Sequence, residues 1–207
     1  MARTQEQRKA ETRAGLLAAA ADQFARKGFH AVSAEAVADA ADRTTGALYS
    51  HFGNKEGLLF ALLEEWKEAT ADAIVAHVPD PADLDGIISA TWDLLTAAHD
   101  EAGGQWLLLE MELWLHGARD DAIGAQLAER YAHIRADFAK GLVDWSTASD
   151  QPLPAPAEQL SAVGLSLLLG GALLHRLEPA SIPPSWVVDA VRALVAQPPA
   201  TTIRSNP

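Results

Sequence analysis

Apolar residues recur at three- and four-residue intervals along most of this chain, and no long stretch alternates with period two, so the pattern predicts an all-α protein. A first helix is expected over Gln5–Lys27, with Leu17, Ala20, Ala21 and Phe24 on one side and Gly28 as its stop. Two short helices follow. One opens at Ser33 and turns Val37, Ala38 and Ala41 inward; the other opens at Thr44 and runs to Phe52, with Leu48 and Phe52 sharing a face. A long helix is expected over Lys55–His77, with Leu59, Leu62, Leu63 and Trp66 at i, i+3, i+4, i+7, and Pro79 and Pro81 end it. Further helices are expected over Asp83–Glu101 (Ile87, Ile88, Trp92, Leu94 and Leu95 apolar), Gln105–Gly117 after a Gly103-Gly104 separator, and Asp120–Trp145. The stripe of the last is Ile123, Leu127, Tyr131, Ile134, Phe138 and Leu142. STASDQPLPAPAE reads as a polar, Pro-rich loop, and helices over Ala157–Leu177 and Ser185–Ala196 close a set of about nine.

The two short helices carry the most chemistry. Ser33 can accept from free amides at a helix start, and Glu35 in that first turn suits the positive end of the helix dipole. Asp42 and Arg43 interrupt the helices, and Asp is one of the few side chains that tolerate a left-handed backbone there. With Leu48 and Phe52 inside, Thr45, Gly46, Tyr49, Ser50 and His51 point mostly outward. Gly costs a helix about 1 kcal/mol relative to Ala. Its place at position 46 therefore suggests that another surface, such as phosphate or a base edge, comes close.

The formal net charge of −12 looks adverse to DNA binding, but its distribution reverses that impression. Residues 1–60 hold eight Lys/Arg against seven Asp/Glu, whereas the remainder holds eight against twenty-one. Arg3, Arg8, Lys9 and Arg13 cluster near the start, and Lys55 lies at a helix N-terminus, where free amides favour phosphate. The acidic remainder should repel DNA and favour one docking orientation. The 207-residue chain has no cysteine, which excludes disulfides and thiolate chemistry. Its basic N-terminus lacks an apolar core and is expected to be an arm rather than an export signal, with the cytoplasm as the default location. No phosphate loop, paired Glu-x-x-His motif or cysteine supports an enzyme. The run SAVGLSLLLGGALLHRL is apolar nearly all round, but shorter than the about 20 residues that a membrane span needs. A helix covered on one side by its own chain and on the other by a partner is expected instead. Together with the last helix it offers Gly164, Leu167, Leu168, Gly171, Val187, Val191 and Leu194 to a four-helix dimer interface.

Ser33, Ala40-Ala41, Thr44, Gly46, Leu48-Tyr49, His51-Phe52, Asn54-Lys55-Glu56 and Leu58-Leu59 together resemble the helix-turn-helix of the TetR family of bacterial transcriptional regulators. Residues from roughly 8 to 60 carry the resemblance. Asp42 and Arg43 depart from it, because the family usually has Gly and an aliphatic residue there. The resemblance implies an N-terminal arm and DNA-binding domain over 1–54, a helical ligand-binding and dimerisation domain over 55–197 and a disordered tail over 198–207. It also implies a homodimer on palindromic double-stranded DNA, most often a repressor released by a small-molecule effector, without membrane, metal or cofactor.

At the exposed start of the second short helix, Arg43, Thr45 and Gly46 are candidates for base edges. Thr44, Tyr49, His51 and Lys55 are candidates for phosphates, with Ser33 as cap and further donor. The alternatives are that Tyr49 braces the head and that His51 complements its helix C-terminus. For an effector, Trp66, Trp92, Trp106, Met111 and Trp114 could line a cavity, and His99, Glu110, Glu112, His116 and Arg119 could orient the ligand. The alternative is that these aromatics are core. Glu112 and His116 have the i,i+4 spacing of metal ligands but no second pair, so His116 reads as capping its helix. The rival function is a helical adaptor or small-molecule-binding protein whose helix-turn-helix no longer contacts DNA, favoured by Asp42 and the acidic balance.

Overall fold

The structure, a computed structural model, describes residues 4–96 and 102–195, with side chains in the second segment from residue 106. Arg3, His99 and the tail over 198–207 lie outside the described residues, which form nine α-helices in two compact units.

The first unit contains α1 (Gln5–Lys27), α2 (Ala34–Ala40), α3 (Thr45–Phe52), α4 (Lys55–His77) as far as Asp72, and α6 (Ala102–Gly117) as far as His116. Thr4 opens α1 with a capping box, its hydroxyl accepting from the Gln7 N–H at 3.2 Å and its own N–H donating to Gln7 Oε1 at 2.9 Å. Gly28 closes α1 at φ +79°, a conformation that a side chain would strain. Leu16, Leu17, Ala20 and Phe24 of α1, Val37 and Ala38 of α2, Leu48 of α3, and Leu58, Leu59 and Leu63 of α4 are buried. The helical period that predicted α1 and α4 also predicted both bounds of each.

Asn54 opens α4, its Oδ1 accepting from the Gly57 N–H at 2.6 Å. Gly57 is a position to which the sequence pattern gives no weight. A Cβ there would lie 2.1 Å from the Phe52 carbonyl oxygen, because the end of α3 runs directly against the first turn of α4.

The second unit comprises α4 from Ala73, α5 (Leu84–Thr96), α7 (Asp121–Ser149), α8 (Ala157–Leu177) and α9 (Pro184–Val195). Three sequence expectations are corrected across the two units. The Gly103-Gly104 separator is inside α6. The STAS segment extends α7, because Thr147 and Ser149 donate to the carbonyls of Val143 and Trp145 at 2.9 and 2.8 Å and so satisfy their hydroxyls within the helix. Buried Trp145 anchors that added turn, and Asp150, at φ 54°, ends it. Finally, α8 is 21 residues long and apolar enough, by length and composition, to cross a membrane.

The expected dimer stripe divides between two faces. Leu168 and Val191 are buried inside the chain, as is Gly164, whose Cβ position lies 3.8 Å from Leu194. A Cβ on Gly171 would meet Val187 at 2.7 Å and Trp92 at 3.2 Å, so this glycine admits α9 and α5 to α8. These residues bind helices of one chain to each other because the inner face of a bundle helix has the same period as its outer face. Leu167 alone of the seven is exposed, and it stands in an outward row with Val163, Gly170, Leu174 and Leu177.

Gly57→Ala is expected to destabilise the protein by about 1–3 kcal/mol, the cost of forcing an extra carbon into a filled site. Urea unfolding followed by circular dichroism measures this.

Candidate nucleic-acid interface

Each short helix starts on a side chain that the sequence picks out. The Ser33 hydroxyl accepts from the Ala36 N–H at 3.2 Å and the Thr44 hydroxyl from the Ala47 N–H at 3.2 Å. Hydrogen bonds from the Glu35 backbone amide and then from Ser33 hold the Glu35 carboxyl below its usual range. The resulting support for the α2 start is present at neutral pH and lost on acidification through the carboxylate range.

Between the helices Asp42 adopts φ 54°, the left-handed conformation inferred from its residue type. The Arg43 N–H returns to the Ala38 carbonyl at 2.9 Å, and the guanidinium of Arg43 donates to the Asp42 carbonyl at 2.7 Å. Asp42, Arg43 and Thr44 are exposed, as are Gly46, Ser50 and Tyr49, while Thr45 and His51 are half-buried. Tyr49 is 47% exposed, so its ring points outward rather than bracing the head. At Gly46 an added Cβ would meet only the Thr44 hydroxyl, at 3.8 Å. Nothing within this chain requires a glycine there.

Two of the basic residues are engaged within the chain instead, Lys55 half-buried and Arg13 at the surface. Lys55 Nζ donates to the carbonyls of Phe29 and Val32, each at 2.9 Å, and lies 4.2 Å from the Phe29 ring centroid. Arg13 donates to Glu65 at 2.6 Å and lies 5.7 Å from the Phe52 ring centroid, which ties α1 to α3 and α4. A long flexible cation takes the best acceptor within reach, and helical position alone does not reveal a carbonyl contributed by another element. Arg8 and Lys9 remain exposed on α1.

The expected effector residues fall in both units. Trp66 and Trp106 stack at 4.0 Å and 17° in the first, where Glu110 is fully buried, Met111 half-buried and Trp114 exposed. The Trp106 Nε1 is buried with no hydrogen-bond partner. Trp92 belongs to the second unit, buried against His175 with 5.6 Å between ring centroids. Glu112 Oε2 accepts from the Phe29 N–H at 2.8 Å, and the His116 ring lies 5.8 Å from that of His30. The Nδ1 of His116 is buried without a partner, so it does not make the helix-capping bond expected of it. Among the described residues, no group of three or more His, Cys, Asp or Glu could hold a metal.

Residues 16–62 match the family model of bacterial regulatory proteins, tetR family. Over that segment, which runs from α1 through α2 and α3 into α4, the chain is similar to the TetR family. It is 27% identical over 133 residues to the transcriptional regulator UidR of Escherichia coli K12, a match spanning 64% of this chain and 65% of that protein. It is 33% identical over 91 residues to the transcriptional repressor KstR2 of Mycobacterium tuberculosis, covering 42% of this chain and 46% of that protein. The solved structure of a TetR-family regulator from a Rhodococcus species has the same fold, with TM-score 0.75 and 18% identity over 90% of this chain and 100% of that one. Members of the family generally act as ligand-responsive repressors that bind DNA as dimers, and they are not catalytic.

Asp42→Gly is expected to leave the unfolding free energy within about 1 kcal/mol, since glycine accepts the same backbone. Asp42→Val should cost roughly 1–2 kcal/mol through its left-handed conformation. Chemical denaturation of the pair distinguishes the two.

Proposed function

We propose that this chain is a DNA-binding transcriptional repressor in the cytoplasm, a homodimer that reads an inverted-repeat operator and is released by a small-molecule effector. Gly46 carries the proposal. A helix gives up stability at this position, nothing in the chain occupies the space gained, and the bare backbone lies on the exposed face shared by Arg43, Thr44 and Tyr49. DNA approaching that face meets Arg43, Thr45 and Gly46 at base edges and Ser33, Thr44, Tyr49 and His51 at phosphates. Lys55 contributes by holding the turn before α2.

A single short helix makes few base contacts, so two copies related by a two-fold axis supply the length of site required. The outward row Val163, Leu167, Gly170, Leu174 and Leu177 on α8 is the surface we assign to the partner subunit. This assignment also gives a use to an apolar helix window that is only 39% buried within the chain. The effector is assigned to Trp66, Trp106, Glu110, Met111 and Trp114, where the Trp106 N–H has no partner. It must bind the low-DNA-affinity arrangement more tightly, and DNA must weaken its binding by the same factor.

Gly46→Ala separates this reading from the adaptor alternative. It should be as stable as the wild type or more so, by up to about 1 kcal/mol, yet lose affinity for DNA from upstream of its own coding sequence. Tyr49→Ala should lower that affinity about tenfold, the worth of one hydrogen bond to a charged group. Unchanged affinity in both variants, measured by fluorescence anisotropy, contradicts DNA reading by α3 and favours the adaptor.

The double variant Leu167→Glu, Leu174→Glu should sediment as a monomer with unchanged helix content and bind the upstream DNA weakly. A dimer that survives both charges removes α8 from the interface.

A further inference from the structure

The backbone of Phe29 is gripped at both ends by charged side chains from two other helices. Its N–H donates to Glu112 Oε2 of α6 at 2.8 Å, and its carbonyl accepts from Lys55 Nζ of α4 at 2.9 Å. The same ammonium holds the Val32 carbonyl, next to the Ser33 cap of α2. The Phe29 ring is buried, edge-on to Phe24 at 5.3 Å, so the residue cannot swing away without opening the core of the head. Gly28 makes room for the carboxylate: a Cβ there would stand 3.1 Å from Glu112 Oε1.

We propose that Glu112 is a positioning residue that couples α6 to the DNA-reading face through the Phe29 N–H. A hydrogen bond to a charged acceptor is short and directional, so a helix shift of about 1–2 Å either breaks it or carries the donor along. Because Lys55 ties Phe29 to Val32, the displacement reaches the N-cap of α2 over four residues of chain. The i,i+4 relation of Glu112 and His116 therefore marks a mechanical contact rather than half a metal site. The proposal rests on the DNA-binding reading above and adds the residue through which α6 acts.

The test combines operator affinity with hydrogen–deuterium exchange in wild type, Glu112→Ala and Glu112→Gln. DNA from upstream of the coding sequence is the probe. In free Glu112→Ala, exchange over residues 28–34 should accelerate, and affinity should fall about fivefold or more, the lower end of a typical coupling. In wild type, saturating DNA should alter exchange over residues 106–117 of α6, and in Glu112→Ala this response should vanish at saturation. A merely structural role would lower stability and leave the response in place. Glu112→Gln keeps an acceptor without the charge and should retain it. Should Glu112→Ala fail to fold, Glu112→Met, which keeps the length without the acceptor, takes its place. Unchanged exchange over 28–34, or an intact α6 response in the variant lacking the acceptor, overturns the proposal. If wild type binds no upstream DNA, the functional reading fails separately, and exchange over 28–34 decides the contact.

Discussion

The head depends on the Lys55 ammonium and the two carbonyls that it holds. Hydrogen bonds to a charged group contribute about 1.5–3 kcal/mol each, and the adjoining Phe29 ring adds roughly 0.5–2 kcal/mol. The Phe29–Val32 turn has no helix of its own to satisfy those carbonyls, yet it fixes where Ser33 stands and therefore the direction of α2. Without that side chain, the Val32 carbonyl loses the ammonium and the Phe29 carbonyl keeps only the Val32 N–H at 3.4 Å. At the surface, Arg13 of α1 joins Glu65 of α4 and the Phe52 ring of α3. The head thus uses two of its cations internally.

That use explains how a small unit can leave the outer face of α3 free of structural duty. Leu48 is buried and anchors α3 from behind, while Gly46, Tyr49 and Ser50 lie on the solvent side with little intrachain packing. The contrast between Gly46 and Gly57 expresses this division. A Cβ on Gly57 would collide with the Phe52 carbonyl, so the fold requires that glycine, whereas a Cβ on Gly46 would make only an ordinary contact with the Thr44 hydroxyl. A glycine that the fold does not need, in a helix that it weakens, points to a requirement outside the chain.

Much of this arrangement was legible in the sequence. Ser33 and Thr44 are capping residues at the start of apolar periods, and Asp42 is a residue type that accepts the left-handed backbone, so the helix-turn-helix could be placed residue by residue. What escaped depends on tertiary partners. Glu112 reads as a ligand-orienting or metal-binding group until the Phe29 N–H is found beside it, and Lys55 reads as a phosphate contact until two carbonyls are found within its reach. Leu168 and Leu167 follow the same helical period, and only packing against α9 and α5 determines which of them faces inward. The STAS end of α7 read as loop because its hydroxyls are polar, although they bond back to their own helix.

The central claim is that two copies of the α2–α3 head read DNA along the face around Gly46. Nuclease footprinting of the purified protein on DNA from upstream of its coding sequence tests it most directly. The account predicts two protected half-sites related by two-fold symmetry, with centres about one helical turn or a multiple apart, and protection that weakens steeply as salt rises. A single unpaired footprint would contradict the two-fold arrangement, and protection that is absent at low salt would contradict DNA reading itself.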